Sequence, residues 1–190
     1  ETSFYMVLAN LFNGSDMQTA RRNALMAAAR TNTDSVAQLY QGRVQQISPT
    51  ALAILFDQVD TPGRSFQVAC AALVLSRLGN QPGGARFRYS LQHLDLEYGP
   101  DSLLAPAADE AREDALLHAA LAEDNAVVLA ADFARQLPRP ERFELTSEHS
   151  PSLAALHTSQ SRDYFLMSSA KPVTEAMLSK QIDALRQPST

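Results

Sequence analysis

The 190-residue sequence predicts an α+β fold, an α/β sandwich whose ferredoxin-like core packs helices on an antiparallel sheet. Three observations predict it. Short apolar runs alternate with longer stretches of helical periodicity, in the order β-α-α-β-β-α-β-α-β. The runs Arg43–Ser48 and Ala51–Phe56 are separated only by Pro49 and Thr50, which demands a tight hairpin. Ala85–Leu96 alternates with period two, placing Phe87, Tyr89, Leu91 and His93 on one side and Arg86, Arg88, Ser90 and Gln92 on the other. Hydrophobic residues make up 45% of the chain, enough for a true core.

Each element has a local reason. Ser3–Phe12 is an apolar, β-branched and aromatic run closed by the turn signal Asn13-Gly14-Ser15-Asp16, with Asp16 as the expected cap of the next helix. Met17–Tyr40 is helical, with a break expected near Asn32-Thr33-Asp34 and a stop at Gln41-Gly42. Pro49 donates no ladder hydrogen bond and belongs in the hairpin turn. Thr61 and Pro62 open a helix to Leu78, whose Phe66, Ala69, Cys70, Leu73, Val74 and Leu78 share a face. Residues 79–84 form a loop. A helix is expected over Ala107–Glu123, a strand over Ala126–Ala130, and a helical turn over Phe133–Leu137, stopped by Pro138. Late strands follow at Arg142–Thr146 and Tyr164–Met167, separated by the polar stretch Ser147–Arg162, which carries no clear pattern. Val173–Arg186 is an amphipathic helix.

Composition narrows the function. The net charge is -5 and the basic residues are scattered, which excludes a general nucleic-acid binder. Cys70 is the sole cysteine and lies in an apolar run, so it is expected as a small buried hydrophobe. His93, His118, His149 and His157 make no metal-ligand pair, and no metal is expected. Asp109, Glu110, Glu113 and Asp114 fall along one helix edge, expected to be a solvated face. Asp57 and Asp60 flank the hairpin exit, where Asp60 is expected to start a helix. Ser15 and Ser48 lack the partners of a hydrolase triad. The chain opens at Glu1 on strand-like residues, as a piece of a longer protein would.

Several motifs carry a resemblance. Gly42-Arg43-Val44-Gln45-Gln46-Ile47-Ser48-Pro49-Thr50-Ala51-Leu52-Ala53-Ile54-Leu55-Phe56 resembles a strand–turn–strand of the type Gly-x-Val-x-Lys-x-Ile-Gly-Asp-x-x-x-Ala-x-Phe. Asn10-Leu11-Phe12-Asn13-Gly14-Ser15 occupies the place of Asp-Ile-x-Gly-Phe/Ser-Thr at the end of the first strand. Arg88–Leu94 echoes Arg-Ile-Gly-Ile-His-x-Gly, and Asp124–Ala130 resembles a Pro-Gly-Glu-Val-Leu-Val-Ser strand. In order and spacing, Ser3 to about Met167 resembles the class III adenylate/guanylate cyclase homology domain. The resemblance implies a nucleotide-cyclase-like fold over 1–170, followed by a C-terminal helix and tail over 171–190.

The resemblance also implies what is changed. In the family, two aspartates hold two divalent cations that act on the triphosphate and the ribose 3′-hydroxyl. Asn10 and Pro49 stand at those vestigial metal positions, and Gln45 stands at the purine-selecting lysine. The family's later Asn and Arg would fall within Glu113–His118, where neither type occurs. Asn13-Gly14-Ser15 is the candidate anion-binding turn that persists. The expectation is therefore a domain with no catalytic residues, no enzyme activity and no cofactor, serving as a regulatory or protein-interaction module. A homodimer and an unidentified protein partner are expected, with membrane attachment only through parts outside this chain, on the cytoplasmic side of an inner membrane. The alternative is a divergent nucleotide-binding sensor or an active cyclase with relocated metal ligands. Two adjacent strands at Arg43–Phe56 are required by either reading.

Overall fold

The computed structural model describes residues 1–80, 85–155 and 163–187. Its strands are β1 (Thr2–Leu11), β2 (Arg43–Ser48), β3 (Ala51–Phe56), β4 (Phe87–Leu96), β5 (Val127–Ala130), β6 (Phe143–His149) and β7 (Asp163–Ala170). They form one sheet in the order β2-β3-β1-β4-β5-β7-β6. The expected hairpin is present with the expected bounds, and β3 continues the sheet onto β1. All neighbours are antiparallel except β4 and β5, a parallel pair that an all-antiparallel sheet did not include. Helix α3 (Asp109–Ala120) supplies the crossover that a parallel pair needs.

β1 is buried on both faces, which explains its unbroken apolar sequence. Tyr5, Val7, Ala9 and Leu11 join the larger core beneath α1 (Thr19–Tyr40) and α2 (Arg64–Gly79). Phe4, Met6 and Leu8 face the other way, into a second core with Ala51, Ala53, Leu55, Ala115 and Ala119. Leu103, from the 3₁₀ turn Pro100–Leu104, completes this second core and is fully buried. Arg43 Nη2 holds that turn to β2 through Asp101 at 2.5 Å.

Three local expectations are corrected. The first long helix does not break near Asn32-Thr33-Asp34. Thr33 is 1% exposed and its hydroxyl donates to the Ala29 carbonyl at 2.7 Å, so the polar residue is satisfied inside a continuous α1. Asp34 pairs with Arg30 one turn earlier at 3.0 Å. α1 starts at Thr19 after Gln18, so Asp16 is not its cap. Likewise α2 starts at Arg64 after Gly63, which takes the left-handed conformation at φ 83°, and Thr61-Pro62 lies in the preceding turn. Arg64, 5% exposed, then ties the layers together. Its guanidinium donates to the carbonyls of Tyr40 (2.9 Å), Gln41 (3.0 Å) and Asp57 (3.0 Å), satisfying the C-terminal end of α1.

The polar stretch after β6 begins inside that strand, which runs to His149, and continues as a 3₁₀ turn at Pro151–Ala155. The rest of it, 156–162 with His157, lies outside the described residues. α4 (Ala131–Ala134) is the expected single turn, beginning two residues early. α5 (Pro172–Arg186) buries Leu178 and Ile182 in the larger core. Arg77 on α2 holds α5 through both oxygens of Glu175, at 2.7 and 2.5 Å, and the Ala170 N–H donates to the same carboxylate at 2.7 Å.

The Arg77 hydrogen bonds hold the Glu175 carboxyl below its ordinary pKa, against the opposing effect of burial. A carboxyl with a lowered folded-state pKa stabilises the protein above its unfolded value, about 4.3, and loses that contribution as pH falls through the folded value. We predict that Glu175→Gln lowers the melting temperature at pH 7 and that the gap narrows below about pH 4. Thermal melts of both proteins across pH check this, and a gap independent of pH contradicts it.

Candidate functional site

The end of β1 meets the β2–β3 turn because register demands it. Asn10 lies opposite Ala51 on β3 and opposite Arg88 on β4. The Leu11 N–H donates to the Thr50 carbonyl at 2.8 Å, closing the turn against the strand. The side chains then lock: Thr50 Oγ1 donates to Asn10 Oδ1 at 3.1 Å, and the Thr50 N–H donates to Ser48 Oγ at 3.1 Å. Pro49 caps the hairpin and is exposed, with its ring offering no ligand atom.

The candidate anion turn packs onto the same place. Asn13 takes the left-handed conformation at φ 56°, and a 3₁₀ turn follows over Gly14–Asp16. Gly14 is buried beneath the hairpin, where a Cβ would stand 2.7 Å from Thr50 Cγ2. Asn10, the Asn13–Ser15 turn and the Ser48–Thr50 turn are thus brought together. α1 begins four residues beyond Ser15, so the turn is separate from that helix's first turn. Gln45 lies farther along β2, opposite Ala53, on the same sheet face as Asn10. Its Oε1 is buried without a hydrogen-bond partner.

Arg88 is the site residue that sequence reasoning missed. Its backbone pairs with Asn10, which sets both side chains on one face of the sheet. Its guanidinium stacks 4.7 Å from the Phe12 ring centroid and donates from Nη1 to the Ala122 carbonyl at 2.8 Å. Asp124 lies 3.3 Å from the same nitrogen. The period-two pattern of β4 contained the signal, but the strand that Arg88 would face was not visible in it.

The remaining candidates lie elsewhere. Asp57 and Asp60 sit at the opposite end of β3 from Asn10. Cys70 is buried, and burial pushes its thiol up to about 12. His149 pairs with Asp163 at 3.0 Å, and His93 packs on Tyr5. The acidic edge of α3 is only partly solvated: Asp114 is tucked against the buried His118, a correction with consequences below. Among the described residues, no three His, Cys, Asp or Glu side chains form a metal-binding group. The side-chain oxygens linked to one another at Asn10 are its amide and the Thr50 and Ser48 hydroxyls, all neutral, while the Asp124 carboxylate is held on Arg88. Such a donor set does not fit a pair of protein-held divalent cations, which require carboxylates.

The fold that carries these residues has counterparts among solved structures. The catalytic core of a rhodopsin-guanylyl cyclase with converted specificity, in complex with ATPαS, superposes with a TM-score of 0.64. It covers 90% of this chain and 97% of its own, at 10% identity. The fold is that of a class III nucleotide cyclase domain. An adenylate cyclase from Trypanosoma brucei in its monomeric state gives a TM-score of 0.64 at 8% identity, covering 90% of this chain and 91% of its own. The non-canonical dimeric guanylyl cyclase domain of RhoGC from Blastocladiella emersonii gives 0.61 at 9% identity, covering 90% and 98%. No protein-family model and no curated protein matches the sequence.

These matches correct one expectation. The residues at positions 10, 45 and 49, with no Asn or Arg in Glu113–His118, point to a domain that is not an enzyme, whereas the cyclase-like fold is shared with cyclase catalytic domains over nine-tenths of the chain. Changes at the positions of family side chains concern those positions, and they do not carry the conclusion of a non-enzyme.

The packing around Gly14 yields a prediction. Gly14→Ala should force the Asn13–Ser15 turn away from Thr50 and destabilise the protein by about 1–3 kcal/mol, as overpacking does. Urea unfolding measures this, and an unchanged midpoint contradicts the close packing of the two turns.

Proposed function

We propose that this is a divergent nucleotide-binding domain of the cyclase type. It takes a purine nucleoside triphosphate with the phosphates at the β1/hairpin end, and it acts as a sensor within a larger protein. The observation that carries the reading is the register pair Asn10–Arg88 beside the Asn13–Ser15 turn. An aspartate at this position repels a triphosphate unless cations intervene. An amide does not, and the Arg88 guanidinium alongside, its Nη1 held by Ala122 and Asp124, offers its remaining N–H groups for charge-assisted hydrogen bonds to phosphate oxygens. The shared fold with a cyclase core that binds ATPαS supports the purine triphosphate class. The dimeric RhoGC domain supports a homodimer as the working assembly.

Because the protein's own donors are neutral, binding should depend weakly on divalent cations. Calorimetric titration of ATP and GTP, with Mg²⁺ and with EDTA, tests this. We predict saturable binding in both conditions and a loss of about 10-fold to 100-fold in Arg88→Ala, the range for a hydrogen bond to a charged group. Absence of binding to either nucleotide, or affinity indifferent to Arg88→Ala, overturns the reading. Cyclic nucleotide measured in the same mixtures, lost in the same variant, would assign turnover to this site.

A further inference from the structure

A second polar cavity lies on the α3 side of the sheet. It has a volume of about 340 Å³ and is bounded by β1, β4, α3 and the start of α4. This is within the range of small-molecule sites. Its floor is Gln92, paired in register with Met6 at the centre of the sheet. Gln92 is only 3% exposed, yet neither its Oε1 nor its Nε2 has a hydrogen-bond partner. A buried amide with all its valences unused is costly, and proteins rarely keep one without a role. The walls are acidic: Asp114 from α3, Asp132 from α4 and the rim residue Asp95 line the space, with His93 beside them. No Lys or Arg lines it.

Asp114 is also incompletely matched. His118 Nδ1 lies 3.0 Å from Asp114 Oδ1 and 2.8 Å from the Asp114 carbonyl oxygen. The two oxygens share that one ring nitrogen, and Oδ1 has no other hydrogen-bond partner among the described residues. Burial raises the pKa of Asp132 and neighbouring Asp114 adds to it, while the Phe133 N–H, His93 and His118 act in the opposite direction.

The geometry points to a binding site for a small organic cation with a guanidinium or primary ammonium head. The carboxylates of Asp114 and Asp132 accept its N–H groups, and the Gln92 amide completes the set. Phosphate-bearing ligands are repelled by the same carboxylates. Gln92 lies four positions along β4 from Arg88, about 13 Å, so this site is distinct from the proposed phosphate end. A metal ion is disfavoured because the described acidic and histidine side chains do not form a three-ligand group.

The test uses agmatine, which carries both head groups, titrated by calorimetry into the full chain. One site per chain should saturate, with at least a 10-fold loss in Asp114→Asn and in Gln92→Leu. Arg88→Ala should bind agmatine normally, so failure here and failure of the nucleotide reading are separable. Gln92→Leu should also raise the melting temperature of the ligand-free protein by about 2–4 °C, because it removes an unpaired buried amide. If Asp114→Asn does not fold, Asp132→Asn replaces it. No saturation by about 10 mM agmatine, binding indifferent to both Asp114→Asn and Gln92→Leu, or saturable Mg²⁺ or Ca²⁺ binding that displaces agmatine would each overturn the assignment.

Discussion

Strand β1 is paired along both edges and buried on both faces, and every other layer is placed by that constraint. Its ten residues match β4 one for one, and six of them also match β3. Odd positions from Tyr5 to Leu11 anchor the core beneath α1 and α2, while even positions from Phe4 to Leu8 anchor the core beneath α3. A slip of one residue would exchange the two sets, so the register is held strongly. That register delivers Asn10 to the hairpin turn and to Arg88, and it sets Met6 beside Gln92. Both candidate sites are therefore consequences of one strand alignment.

The two sites differ in charge logic. At the β1/hairpin end an amide and hydroxyls stand at the end of β1 and in the hairpin turn, and the Arg88 guanidinium, paired with Asp124 through Nη1, stands in the adjacent row. The local field there suits an anion with little help from cations. In the α3-side cavity the sign is opposite, with aspartates gathered around an unsatisfied amide. Two ligands of opposite charge, each anchored on β4, would bind one rigid strand from two points along its length. The fold shared with cyclase domains provides the frame, and the side chains on it decide the chemistry.

Much of the frame is legible in the sequence. The β2–β3 hairpin has the bounds expected from its turn residues, since Pro49 leaves little freedom in where pairing stops. Helices α2, α3 and α5 fall within a few residues of their periodic patterns. What escaped was decided by tertiary contact. Thr33 resembles a break until it is seen buried and bonded to Ala29. Gln92 and Ser90 resemble a solvated strand face until α3 covers them, where Ser90 Oγ donates to the Ala115 carbonyl at 3.0 Å. Asp114 belonged to a surface acidic edge until the helix was docked. Arg88 gained meaning only from its partner across the ladder. The resemblance located Asn10, Pro49 and the Asn13–Ser15 turn, and the structure shows that they share one corner.

The claim most exposed to disproof is that this corner receives a nucleotide. Hydrogen exchange with and without ATP or GTP, in EDTA, reads it directly. The account predicts slowed exchange in peptides spanning Asn10–Gln18 and Gln45–Ala51, with little change over α3. Unchanged exchange in both peptides at saturating nucleotide, or protection confined to another part of the chain, would contradict it.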